Sequence, residues 1–138
     1  MNTANGKKES YREYKARMEE YREVIKQNID YDNLVFDSPS KKQFYDDVVE
    51  LILEVVMDTR ESIMISGNEI STEIVRSRLL KLDSEHIGYV ETSLSKTTTD
   101  IKNIKKYLLS ALYNAPVTME SYYDAWVKHD MAAGDVGF

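Results

Sequence analysis

Chain breakers are so scarce in this sequence that helix is the default outcome at almost every position. Five glycines and two prolines are spread over 138 residues, far fewer than an all-β chain needs to turn between short strands. Apolar residues recur at alternating steps of three and four, the spacing that lines one face of a helix. A chain of this length fits one domain with a single core. The patterning predicts an all-α fold, a compact bundle of about six helices with one short β-hairpin or extended segment.

Residues 1–9 are polar and aperiodic, and read as a disordered tail or a linker stub. Ser10 and Glu13 form a capping box, after which Tyr11, Tyr14, Met18, Tyr21 and Ile25 mark a narrow tyrosine-rich seam. That seam either packs internally or makes a homodimer through the first helix. Asp30 to Pro39 reads as a connector. Ser40 and Gln43 offer a second box, and Phe44, Val48, Leu51, Ile52 and Val55 make the widest apolar stripe, that of a central helix. Ser62 to Ile65 alternates polar with apolar before a Gly67-Asn68 turn, as in a short hairpin. Ser71 caps a third helix bearing Ile74, Val75, Leu79 and Leu82, and Asp83 or Ser84 a fourth bearing Ile87, Val90 and Leu94. A fifth starts at Thr97 and Asp100, turns Ile101, Ile104, Leu108, Ala111 and Leu112 inward, and stops at Asn114 and Pro116. Thr118 caps a sixth that runs to about Met131. The single domain thus spans 10–131, with 132–138 as a loose tail.

Composition narrows the function. The net charge of −6 opposes the counterion-release binding on which most nucleic-acid modules depend. Cysteine is absent, which removes disulfides, thiolate metal sites and thiol nucleophiles and suits a cytoplasmic location. No apolar run approaches the ~20 residues of a membrane span. Asp83 and His86 have the i, i+3 spacing of a metal pair, but no second pair completes a site and a helix cap explains Asp83 better. Without phosphate loop, nucleophile elbow or zinc-protease motif, a non-enzyme with neither cofactor nor metal is expected.

Three constellations remain. Asp46, Glu50, Glu54 and Asp58 form an acidic ridge along the second helix, costing roughly 0.2 to 0.5 kcal/mol per like-charged pair unless compensated. It is either a solvated face balanced by Lys42 and cations of neighbouring helices, or a docking surface for a basic partner. Lys102, Lys105 and Lys106, with Tyr107 alongside, are either phosphate contacts, an ordinary solvated face or the ridge's internal counterpart. Tyr122, Tyr123 and Trp126 crowd the last helix, where core packing is the expected use of at least two and any that stays exposed marks a contact surface. The third and fourth helices mimic a DNA-reading pair, yet the second of them carries Glu85 and Glu91 and no basic residue.

Four stretches carry a family likeness: NIDYDNL from Asn28, IVRSRLLKLDSEHIGYV from Ile74, YLLSALYNAP from Tyr107 and YYDAWVKHDM from Tyr122. From about Tyr21 to Met131 the chain resembles the C-terminal helical domain of replication initiator A proteins, carried by plasmids and mobile elements of Gram-positive bacteria. The resemblance implies a DnaD-like fold, a fragment whose polar N-terminus joined an origin-binding winged helix, and a role in recruiting host replication proteins such as primase, helicase or its loader. DnaD-type domains also carry a YxxxI motif followed by Trp, associated with DNA contact. Tyr107 matches its start, but Ala111 stands in place of Ile and Ala115 in place of Trp, which counts against DNA binding and leaves the interaction role untouched.

Overall fold

The computed structural model describes the backbone of residues 8–97 and 101–137 and side chains as far as His129. It is an all-α bundle of six helices with one two-stranded hairpin. The order is α1 (Tyr11–Asn28), α2 (Tyr31–Asp37), a 3-10 turn (Pro39–Lys41), α3 (Lys42–Val56), β1 (Ser62–Ile65), β2 (Asn68–Ser71), α4 (Thr72–Leu79), α5 (Ser84–Ser95) and α6 (Ile104–Gly137).

The wide stripe of α3 does what its pattern requires. Val48, Leu51, Ile52 and Val55 are buried, and so are Tyr45, Val49, Leu53 and Val56, because α1, α2 and α4 cover the helix on several sides. Full burial of each such aliphatic chain contributes roughly 1.5 to 3 kcal/mol. On the other side of the bundle α6 packs on α5, α4 and β1. Arg76 of α4 ties the layers together by donating to the carbonyls of Val56 (3.0 Å) and Asp58 (3.1 Å) at the end of α3, satisfying acceptors that a helix terminus leaves open.

Two caps form as read. Ser10 and Glu13 bond each other's backbone reciprocally. Asp83 accepts from the amides of Glu85 and His86 while His86 Nδ1 accepts from the Asp83 amide at 3.1 Å, so the Asp83 and His86 pair is a capping box. Other local signals are overruled. The connector at 30–39 contains α2, with Asp30 in the left-handed region at φ 58°. Ser40 lies in the 3-10 turn and caps nothing, and Gln43 bonds Asp47 on its own helix instead. Ser71 stands at the N-cap of α4 without a side-chain cap bond. The hairpin turns at Ser66 and Gly67, both at positive φ, one residue before the expected pair; a two-residue turn with both φ values positive matches the twist of its strands.

The expected fifth and sixth helices are a single helix of 34 residues with Pro116 inside it. Leu112 and Ala115 are 0% exposed just before the proline, and this packing carries the helix through. Side chains bond the helix backbone on either side of the proline: Asn114 donates to the Ser110 carbonyl at 2.9 Å, and Thr118 donates to the Asn114 carbonyl where it was expected to cap. The start also shifts. Asn103, not Thr97, caps α6 by accepting from the Lys106 amide at 3.0 Å, which leaves Ile104 exposed rather than inward. Thr97 instead closes α5 by donating to Ser93. The expected cap at Asp100 and most of the 1–9 tail lie outside the described residues, and the backbone helix continues through Gly137, past the end expected near Met131.

Candidate interaction surface

Every carboxylate of the ridge has an intramolecular cation. Asp46 pairs with Lys42 at 2.8 Å and accepts from the Tyr31 hydroxyl. Glu50 receives both arms of the Arg22 guanidinium from α1, at 2.8 and 3.0 Å. Glu54 meets Lys105 of α6 at 2.7 Å, and Asp58 meets Arg60 at 2.6 Å. These contacts hold the carboxyls of Asp46, Glu50 and Asp58 below their ordinary range, through Lys42 then Tyr31, Arg22, and Arg60 respectively. The Tyr31 hydroxyl is pushed up in turn by the Asp46 carboxylate it bonds.

The lysine cluster divides. Lys105 is the counterpart of Glu54, whereas Lys102 and Lys106 have no carboxylate within ion-pair distance among the described residues. The seam of α1 is divided, with Ile25 buried and Met18 and Tyr21 packed against the core, while Tyr11 and Tyr14 are exposed.

Tyr122, Tyr123 and Trp126 are 51%, 52% and 53% exposed, so none of them packs in the core as expected of at least two. Beyond Ala115 no residue of α6 as far as His129 is buried, so all three lie where α6 is only partly covered, although Tyr122 and Tyr123 still line a groove with α5. The Tyr122 ring lies tilted against that of Tyr89 on α5, 6.1 Å away.

Two grooves flank Tyr89. One, of about 630 Å³, lies between the hairpin, α5 and α6, with Met64, Tyr89, Tyr107 and Ala111 as its apolar lining, and Ser66, Ser93, Ser110 and Lys106 as polar groups. Ser66 and Ser110 bond across it at 3.0 Å, and the Tyr107 hydroxyl meets Thr97 at 3.3 Å. The second, of about 480 Å³, runs along the outer face of α5 past Glu85, Gly88 and Lys96 to Tyr122 and Tyr123. The sequence reading selected Lys106, Tyr107, Tyr122 and Tyr123 but missed Met64 and Tyr89, which join them only through tertiary contact. A large apolar residue next to a tight turn, as Met64 is, was the one local hint. Among the described residues no group of three or more metal-ligating side chains comes together, and no helix is long and apolar enough to cross a membrane.

Fold and surface together define a small helical bundle with a hairpin that offers aromatic grooves and a partly covered end of α6 to solvent. The chain belongs to a family of unknown function, DUF6017, whose model matches residues 4–134. No curated protein and no solved structure matches it.

Proposed function

We propose that this chain is a cytoplasmic, non-catalytic interaction domain of a plasmid replication initiator, recruiting primase, helicase or a helicase loader to the origin. The biological setting rests on the resemblance carried by the stretches around Ile74 and Tyr122. The physical part rests on one observation, the groove between hairpin, α5 and α6. Its mixture of methionine, tyrosines, hydroxyls and one lysine suits a polypeptide segment with an apolar anchor and an acidic neighbour. The internally neutralised ridge supports placing the partner here rather than along α3.

Purified primase, helicase and loader from a Gram-positive host are the ligands for a binding titration. One of them is expected to bind, and Met64→Glu or Lys106→Glu to weaken it by about 30-fold, the size of a hot-spot loss. Both side chains are exposed, so the fold tolerates the changes. Absence of binding by all three proteins, or binding indifferent to both substitutions, overturns the reading. Non-specific DNA binding is the second reading, favoured by Lys102 and Lys106 beside Tyr107. It requires an affinity that falls steeply with salt and with Ala at both lysines.

A further inference from the structure

Ile74, Ser77, Arg78 and Lys81 stand at i, i+3, i+4 and i+7 on α4, the spacing of one helical stripe. It is turned away from the stripe of Thr72, Val75 and Leu79 that this helix buries. With His86 of α5 and Pro116 of α6, it lines a groove of about 610 Å³ that shares no residue with the hairpin groove.

Arg78 sets the chemistry of this groove. Its guanidinium lies 4.3 Å over the ring of the buried Tyr113, and the cation-π contact holds it through its flat face. The N–H donors along its edge remain for another partner. Its neighbour Arg76 directs such donors to the carbonyls of Val56 and Asp58. Among the described residues Arg78 has no carboxylate within ion-pair distance, nor has the exposed Lys81. Two cations are thus left over on one face of a chain with 24 acidic residues and 18 basic ones. His86 adds a third donor, since its Nδ1 accepts from the Asp83 amide and the neutral ring therefore carries its proton on Nε2. Glu73 is the one carboxylate lining the groove, and it makes no ion pair with Arg78. Ile74, 56% exposed, and Pro116 supply apolar surface beside the donors.

We propose that this groove is a second docking site, for a peptide segment that carries two acidic side chains and an apolar one close together. The edge of Arg78 receives one carboxylate in the bidentate geometry that a guanidinium favours, Lys81 and His86 receive the other, and the apolar side chain rests on Ile74 and Pro116. From Ile74 to Lys81 the stripe rises about 10 Å, the reach of three or four extended residues. A phosphate backbone fits less well, because it calls for a longer run of cations and is repelled by the net charge of −6. The site goes beyond the recruiting role and does not rest on it, since the two grooves are lined by different residues.

Fluorescence polarisation of labelled decapeptides, titrated with the whole chain, tests the assignment. The probe carries Glu-Glu-Leu between glycines and serines; one control has Gln for both Glu, the other Ser for Leu. The probe is expected to bind, and each control to bind about tenfold more weakly. Arg78→Gln and Lys81→Gln should each weaken the probe by about tenfold, and Arg78→Gln should narrow the gap between the Glu and Gln peptides. Lys81 is exposed, so its variant keeps the fold even if losing the Tyr113 contact loosens α4 in the other. Lys106→Glu, in the hairpin groove, should change nothing. No binding at millimolar protein, equal binding of the Glu and Gln peptides, indifference to Lys81→Gln, or loss through Lys106→Glu alone each overturns the proposal. DNA that displaces the probe and binds more tightly overturns it too, and makes nucleic acid the occupant.

Discussion

Gly88 sits in the interior of α5 with helical backbone, and a Cβ built on it meets no atom within 4 Å. Nothing in the fold requires glycine there, so Gly88→Ala should collect the helix-propensity difference in full, about 0.8 to 1 kcal/mol. Unfolding entropy near 60 °C is about 2.1 cal/mol/K per residue, or about 290 cal/mol/K for this chain, so the melting temperature should rise by about 3 °C. Calorimetry and urea denaturation at fixed pH measure the shift, and the urea slope should stay constant because the exposed surface barely changes. A melting point unchanged or lowered would refute the reasoning, showing either that position 88 is not open or that α5 is not helical there. The same methyl stands in the groove that runs to Tyr122 and Tyr123. A replication protein that docks in the hairpin groove should therefore bind the Ala variant with unaltered affinity, and a loss of affinity would move the docking site to the outer face of α5.

Two further outcomes follow from the observed geometry. Pro116→Ala restores an amide donor to the Leu112 carbonyl and relieves a helix-interior proline worth about 3 kcal/mol, less the packing of a half-buried ring, for a net gain of about 1 to 2 kcal/mol. Amide exchange at Val117 to Ser121 should slow accordingly, and unchanged exchange would show that the helix is interrupted at this point. The second concerns acid. Because Asp46, Glu50 and Asp58 titrate below their unfolded values when folded, their contribution is present above those values and is lost as pH falls through the folded ones. Urea stability should be flat from pH 7 to about 5, decline below about pH 4, and show less of this decline in high salt. Stability that rose on acidification would mean that repulsion along the ridge outweighs its ion pairs.

What the sequence made legible and what it hid divide along the range of the forces involved. The stripe of α3, the Ser10 and Asp83 caps and the hairpin depend on residues within a turn or two of one another, and each is present. The failures lie where tertiary packing competed with a local signal. Ser40, Ser71 and Thr118 are all good N-cap residues, yet none makes a capping bond: Ser40 lies in a 3-10 turn, Ser71 is paired in β2, and Thr118 is inside α6. Missing α2 and splitting α6 at Pro116 offset each other in the helix count, so agreement on six conceals two local errors. At the candidate surface Tyr107, Tyr122 and Tyr123 were visible by residue type alone. Met64 and Tyr89 were not, because only the packing of β1 and α5 against α6 brings them alongside.

Charge turned out to be a weaker guide to the exposed surface than length. The ridge on α3 and the lysines on α6 looked like two surfaces seeking outside partners, but Glu54 and Lys105, 51 residues apart, satisfy each other. Such pairing leaves no trace in a one-dimensional pattern, since an exposed ion pair contributes well under about 1 kcal/mol and constrains neither residue strongly. Length is harder to conceal. Helix α6 has 34 residues and α5, its main cover, has 12, so an apolar stripe running the length of α6 must outlast its support. Where it does, Tyr122 and Trp126 stand half exposed in the register of the core, at a cost in exposed apolar surface that the bundle has no means of recovering. The mismatch between a helix and its cover is thus what leaves Tyr122, Tyr123 and Trp126 facing solvent.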